Sequence, residues 1–213
     1  MNTKVEPITR QKPDLYEDDL PEARLNHYLS KRVIGMDTET RGLVIHRDRL
    51  CLIQLCDDEG VVSLVRYNGK DAPNLKKLLT ARNVIKLFHY GRFDISVMKH
   101  YLGVWTGPVW CTKIASKLVR TYTDRHSLKD LCREQLGIEM DKADQTSDWA
   151  KGELTESQLE YAANDVRVLL PLHAKMQSLL EREGRLELAQ KIFNYLPTLC
   201  ELDLNGFINI MEH

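Results

Sequence analysis

The stretch "VIGMDTETRGLVIHRDRLCLIQL", residues 33–55, carries an apolar run into Asp37, Thr38 and Glu39 and then returns at once to a second apolar run. Residues 33–38 are apolar and rich in β-branched side chains, as suits a central strand. Side chains at i and i+2 of a strand share a face, so Asp37 and Glu39 can project together from its C-terminal end. Two carboxylates that close repel each other unless a cation sits between them or one takes up a proton. The pair alone is a weak signal, because Asp57 and Glu59 repeat its spacing inside a turn where solvation explains them.

Outward from this stretch, "LCLIQLCDDEGVVSLVRY" gives two apolar runs split by Asp57, Asp58, Glu59 and Gly60, a hairpin signal. The first three strands are therefore expected as antiparallel neighbours. Pro73 opens "PNLKKLLTAR", with Leu75, Leu78 and Leu79 at helical spacing, and "NVIKLF" (83–88) follows as another buried strand. Helix then strand is the alternation of a parallel crossover, which makes the chain α/β. "FDISVMKHYLGV" predicts a helix from about Asp94, "TKIASKLVRTY" a second, and "HSLKDLCREQLGI" a third ended by Gly137. Thr155 with Gln158 forms a capping-box signature for a helix through Tyr161 and Asp165. Pro171 is expected to kink that helix, and "LEREGRLELAQKIFNYL" extends a helical tail.

The chain has 213 residues, 43% hydrophobic and 29% charged, enough for one well-packed domain and little more. A single domain over 1–213 is expected, with its core at about 20–170 and a helical tail at 171–213. The formal net charge of −1 gives no overall cationic field, so a nucleic-acid partner would be held by a local basic site or by metal ions. Five cysteines, odd in number and without a CxxC pair, point away from zinc and toward reduced core thiols in a cytoplasmic protein. The N-terminus "MNTKVEPITRQKPDLYEDDLPEARL" lacks an apolar segment of the signal-peptide kind, and no apolar span approaches the ~20 residues of a membrane helix. The chain is expected to be soluble, with no membrane partner.

Two further acids give the Asp37 and Glu39 pair its meaning. Asp94 lies just beyond the strand at 83–88, in the loop leading into a helix, where a parallel sheet places its ligand groups; helix N-capping is the plainer use of an aspartate there. Tyr161 and Asp165 stand at i and i+4 of one helix face, so a phenol and a carboxylate point the same way. Four carboxylates converging on the C-terminal edge of one sheet would balance two divalent cations, with a hard-oxygen preference that suits Mg²⁺ or Mn²⁺. Two such ions about 3.5–4 Å apart are the arrangement that serves phosphodiester hydrolysis. Tyr161, with an ordinary pKa near ~10, is a poor base and better suited to orienting the attacking water. No organic cofactor is implied.

"MDTET" (36–40), "HYGRFD" (89–94) and "YAANDV" (161–166) resemble, in order and spacing, the three motifs of the DEDD 3′–5′ exonucleases. The tyrosine four residues before the last acid marks the DEDDy branch. "DKADQTSDWA" resembles the segment that RNase D and its eukaryotic exosome relatives carry before the third motif. Within that superfamily the chain is most similar to the short oligoribonucleases called nanoRNase C. "HRDRLCLIQL", "KLFHYGRFD", "CTKIASKLVRTYTDRHSLKDLCRE", "QTSDWA" and "LPTLCELDLNGF" carry the likeness. The resemblance implies an RNase H-like fold with a mixed five- or six-stranded sheet flanked by helices. It also implies two-metal hydrolysis from the 3′ end, a preference for short RNA and above all dinucleotides, linear pGpG being one candidate, and a homo-oligomer, an octamer. The few tens of residues after the Asp165 helix are too few for the helical RNA-binding domains that follow the nuclease domain of RNase D.

Carried onto this sequence, the resemblance makes Asp37, Glu39, Asp94 and Asp165 metal ligands and, with Tyr161, the catalytic set. Leu43 matches the place of an apolar wedge against the bases, an ordinary buried leucine being the alternative. Lys142 falls where RNase D relatives hold a nucleotide phosphate, and Gln145 and Ser147 share its loop. Thr40 completes the first motif. His89 and Arg92 flank the second, where either can meet the terminal sugar or a phosphate, a core or capping role being the alternative for His89. "RTYTDRH" (120–126) mixes basic and aromatic residues as single-strand binders do, and a charged loop explains it equally. Two other functions compete: a DEDDy exonuclease for longer RNA or DNA 3′ ends, and an inactive binding module on the same fold, whose usual sign, a missing acid, is not seen.

Overall fold

Six strands, β1 (Asp14–Glu17), β2 (Val33–Thr40), β3 (Leu50–Cys56), β4 (Val62–Arg66), β5 (Ile85–Phe88) and β6 (Val109–Cys111), form one mixed sheet in the order β1-β4-β3-β2-β5-β6. The computed structural model describes residues 11–140, 147–208 and 210. β2, β3 and β4 make the antiparallel meander that the opening stretch predicts, and β5 returns parallel to β2. Asp57 builds the β3–β4 turn, its Oδ1 accepting the backbone N–H of Glu59 at 3.0 Å and of Val61 at 2.9 Å, while Gly60 takes a left-handed φ of 78°.

The sheet extends further on both sides than the sequence patterns indicate. β1 runs parallel to β4, and β6 parallel to β5. β1 has four residues and β6 three, too short to show a period of two, so neither stood out from its surroundings.

Helices α1 (Glu22–Leu29), α2 (Pro73–Thr80), α3 (Arg92–Leu102), α4 (Thr112–Val119), α5 (Leu128–Leu131), α6 (Glu156–Arg167), α7 (Leu169–Arg182) and α8 (Leu186–Leu204) pack around this sheet. Pro73 sits in the first turn of α2, whose Leu75, Leu78 and Leu79 are all buried. Both halves of the Thr155–Gln158 capping box are formed at the start of α6. Pro171 marks a break rather than a kink: α6 ends at Arg167, Val168 caps both helices, and the proline lies in the first turn of α7, where its missing N–H costs nothing. α5 passes into a π-helical turn, Cys132–Leu136, before Gly137 ends it at a φ of 69°. α4 stops at Val119, three residues short of the expected helix. The buried Arg120 turns its guanidinium to Ser116 Oγ at 2.9 Å and the Arg125 carbonyl at 2.6 Å, and the chain folds back around it.

All seven residues of β3 are buried, and the core runs along both faces of β2 to β5. α6 and α7 cover one face. They come so close that a Cβ at Gly35 would lie 2.9 Å from the Val166 carbonyl oxygen. On the other face the Tyr28 hydroxyl of α1 donates to Ser63 Oγ at 3.0 Å. α8 packs against α3 and β6, burying Phe193, Leu196 and Cys200, with the Phe193 ring 4.9 Å from Trp110. Residues beyond 171 therefore belong to the packed body. Among the tail's aromatic residues, Phe193 is internal and Tyr195 and Phe207 remain exposed. The five cysteines are buried and free, and no helix of the described residues is long and apolar enough to cross a membrane.

Candidate active site

β2 reaches the C-terminal edge of the sheet with Asp37 paired to Gln54 and Glu39 to Leu52, and its register slips between Glu39 and Thr40. Pairing resumes past that irregularity with Thr40 opposite Leu50, and the two carboxylates stand on the face that α6 covers. From α6, Asp165 comes down onto them: one oxygen from each of Asp37, Glu39 and Asp165 lies within 4.8 Å of the others. Asp94 reaches the site from α3. It sits in the first helical turn, two residues inside the expected boundary, while Gly91 is the N-cap, so capping is not its task. Its Oδ1 instead accepts the Thr38 hydroxyl at 2.6 Å, and it is only 4% exposed.

Gathering these acids has a large electrostatic cost. Burial, then the charges of Asp94, Glu39 and Asp165, push Asp37 well above the usual carboxylate range. Burial and the charges of Asp165 and Asp94 push Glu39 up to about 9. Asp165 is raised by burial to about 7, against a hydrogen bond from Tyr161 that favours its charged form. Asp94 is raised by burial to about 6, opposed by the Thr38 hydroxyl. A site of this kind is relieved by protons or by cations, and its donors are all hard oxygens, the set that Mg²⁺ and Mn²⁺ prefer. The donor chemistry thus fits the expected divalent ions. A second acidic group among the described residues, His27 with Asp57 and Glu59, differs in kind, because the Lys31 ammonium already lies 2.5 Å from Glu59 and 3.6 Å from Asp57.

Tyr161 is pushed above its ordinary pKa by burial and by the neighbouring Asp165, so it stays a phenol and acts as a donor. Its ring lies 6.0 Å from Trp149. Trp149 belongs to a loop held in place by Gln158 Nε2, which donates to Ser147 Oγ at 3.0 Å, and by Arg49, which donates to the Ala150 carbonyl at 3.1 Å. Ser147 is thereby a loop anchor in this structure. Lys142 and Gln145 lie outside the described residues.

The other sequence candidates fall into separate groups. Leu43 is 83% exposed, which rules out the ordinary core leucine and leaves a bare apolar side chain in the turn that follows β2. Its turn is organised by Asp48, which accepts the Val44 N–H at 2.9 Å and pairs with Arg47; a Cβ at Gly42 would come 2.4 Å from the Asp48 carboxylate. Thr40 donates its hydroxyl to the Gly42 carbonyl at 2.5 Å in the same turn. His89 faces Thr112 Oγ1 at 2.8 Å, and burial, with Lys113 nearby, lowers its pKa to about 3, so the ring is neutral. Arg92 is directed elsewhere: its guanidinium forms a two-pronged pair with Asp203 of α8 at 2.5 Å. Between these two, Tyr90 holds a left-handed φ of 67°, its exposed ring 3.9 Å from Lys113 Nζ. Thr38, Trp149 and Gln158 were missed by the sequence reading. Thr38 lay within the first motif, Trp149 within the segment "DKADQTSDWA" and Gln158 within the capping-box signature, none of which marked it as a partner of the site.

Residues 15–181 match the family described as 3′–5′ exonuclease. The chain is 35% identical to DNA polymerase I of Aquifex aeolicus over 190 residues, 81% of this chain and 31% of that protein. It is 32% identical to ribonuclease D of Nitrobacter hamburgensis over 164 residues, 76% of this chain and 42% of that one. The chain thus spans less than half the length of these relatives. Among solved structures it is similar to Brucella melitensis NrnC. With bound Mg²⁺ that protein superposes at a TM-score of 0.87 and 46% identity, covering 92% of this chain and 96% of the other. Bound to pGG it gives a TM-score of 0.87 and 47% identity, covering 92% and 95%.

Proposed function

The chain belongs to the 3′–5′ exonuclease family, and on that premise we propose that it is a divalent-metal-dependent exoribonuclease. It removes nucleotides from the 3′ end of short RNAs, dinucleotides above all, releasing nucleoside 5′-monophosphates. The observation that carries this reading is the carboxylate cluster of Asp37, Glu39 and Asp165, completed by Asp94 on the Thr38 hydroxyl. Those four acids would hold two Mg²⁺ or Mn²⁺ ions, which when bound supply Lewis-acid stabilisation of the charge that develops on the phosphodiester and its leaving oxygen.

The chain's own groups account for the remaining demands of the reaction. Water attacks phosphorus, the P–O3′ bond breaks, and the upstream nucleoside leaves with a 3′-hydroxyl. Tyr161, a phenol fixed on Asp165, positions that water by hydrogen bonding and does not deprotonate it. Leu43 presses on the bases from the exposed turn, and Thr38 keeps Asp94 in one orientation. His89 stays neutral beside the second motif, its ring held by Thr112 Oγ1 and the His126 backbone, as its core role expects.

The preference for short RNA is supported by the likeness to NrnC bound to pGG, which extends over nearly all of both chains. The likeness to part of DNA polymerase I favours a second reading, trimming of DNA or longer RNA 3′ ends. We also place the protein in the cytoplasm and expect a homo-oligomer, an octamer by resemblance, with exposed Tyr195 and Phe207 available as contacts. To test the main reading, pure protein is incubated with a 5′-phosphorylated dinucleotide and Mg²⁺ or Mn²⁺. Mononucleotides form with the native chain, and Asp94→Ala lowers the rate by at least a hundredfold; no turnover by folded, metal-supplied protein would overturn it.

A further inference from the structure

Gln54 stands in the middle of β3, fully enclosed, and neither its amide nitrogen nor its oxygen has a hydrogen-bond partner among the described residues. It is paired with Asp37 across the antiparallel register. Directly opposed residues raise their side chains from the same face, with Cβ atoms about 5 Å apart. The amide therefore lies beneath the carboxylate cluster, on the face that α6 closes. Its other neighbours within the sheet on that face, Leu52, Leu64 and Cys56, are apolar and buried. A leucine or methionine would fill this space without burying an unpaired polar group, so packing gives no reason for glutamine.

Asp37 has the complementary need. Among the described residues no side chain donates to its carboxylate; its hydrogen bond comes from the Thr38 backbone. Carboxylates that ligate metals are themselves held by outer hydrogen bonds that orient them. We propose that Gln54 is a positioning residue for metal binding, donating Nε2–H to the Asp37 carboxylate and fixing its orientation when the site holds its divalent ions. The inference rests on the metal-site reading of Asp37. It adds that the sheet beneath the acids contains a built-in partner for one of them.

The test needs no substrate. Native protein, Gln54→Met and Gln54→Leu are titrated with Mn²⁺ by calorimetry, and their thermal unfolding is followed with and without Mn²⁺. The variants are expected to unfold at the same or a higher temperature without metal, because the unpaired amide is gone. Their Mn²⁺ dissociation constants rise by about 10- to 100-fold, and the stabilisation by Mn²⁺ shrinks accordingly. Native Mn²⁺ affinity in both variants would overturn the proposal, and so would failure of both to fold, which would make the amide a requirement of folding. If the native protein bound no Mn²⁺, or Asp94→Ala bound it equally well, the metal reading itself would fall. Normal native binding with unaffected Gln54 variants would remove only the role of Gln54.

Discussion

Glu39 shows how a residue can be held at high cost for a purpose that its own position makes plain. Its burial and its acidic neighbours push its pKa to about 9, so Glu39→Gln, which keeps the shape and removes the charge, relieves repulsion. That variant is expected to unfold at the native temperature or slightly above, to bind Mn²⁺ at least tenfold more weakly and to lose cleavage; calorimetry and the dinucleotide assay read both. The same repulsion sets a pH dependence. The unfolded chain releases carboxyl protons near pH ~4, whereas folded Asp94, Asp165 and Glu39 keep theirs to about 6, 7 and 9. The folded state therefore binds more protons across this window, and metal-free stability falls as the pH rises from 4 to 9. Thermal unfolding at pH 5 and pH 8.5 checks this: several degrees are lost without metal, and saturating Mn²⁺ removes most of the loss by replacing the protons. The acids and Tyr161 stood out in the sequence because residue type and short spacing reveal them. The partners of the other candidates did not, since Thr112 lies 23 residues from His89 and Asp203 lies 111 from Arg92.

At the scale of elements, the expected meander of β2 to β4 and the crossover to β5 follow from long apolar runs and a strong turn at Gly60. β1, β6 and the early end of α4 depend on tertiary partners, and short segments carry no pattern that shows them. The junction of α3 and α8 depends on tertiary partners too. Arg92 and Asp203 join the first turn of α3, which carries Asp94, to the end of α8, and the Cys200 thiol donates to the Arg92 carbonyl at 3.2 Å. Both charged side chains are partly exposed, so the pair is screened and contributes about 1–2 kcal/mol. Asp203→Ala is expected to lower the unfolding temperature by about 2–6 °C. It should also lower kcat several-fold through a loosened Asp94, with little change in KM. Unchanged unfolding and kcat would show that α8 is merely docked beside α3.

For the whole molecule, one sheet brings together acids from β2, α3 and α6 at its C-terminal edge, and α7 and α8 close the body around it. The net charge of −1 gives the chain no overall cationic field. Affinity for long RNA depends on many phosphate contacts, whereas a dinucleotide can be gripped by the site alone. The most direct measurement compares kcat/KM for a 5′-phosphorylated diribonucleotide, a seven-nucleotide RNA and duplex DNA at one Mn²⁺ concentration. The dinucleotide is expected to be cleaved at least tenfold faster than either longer substrate; a rate that climbs with length, or is highest on DNA, would contradict a short-RNA enzyme.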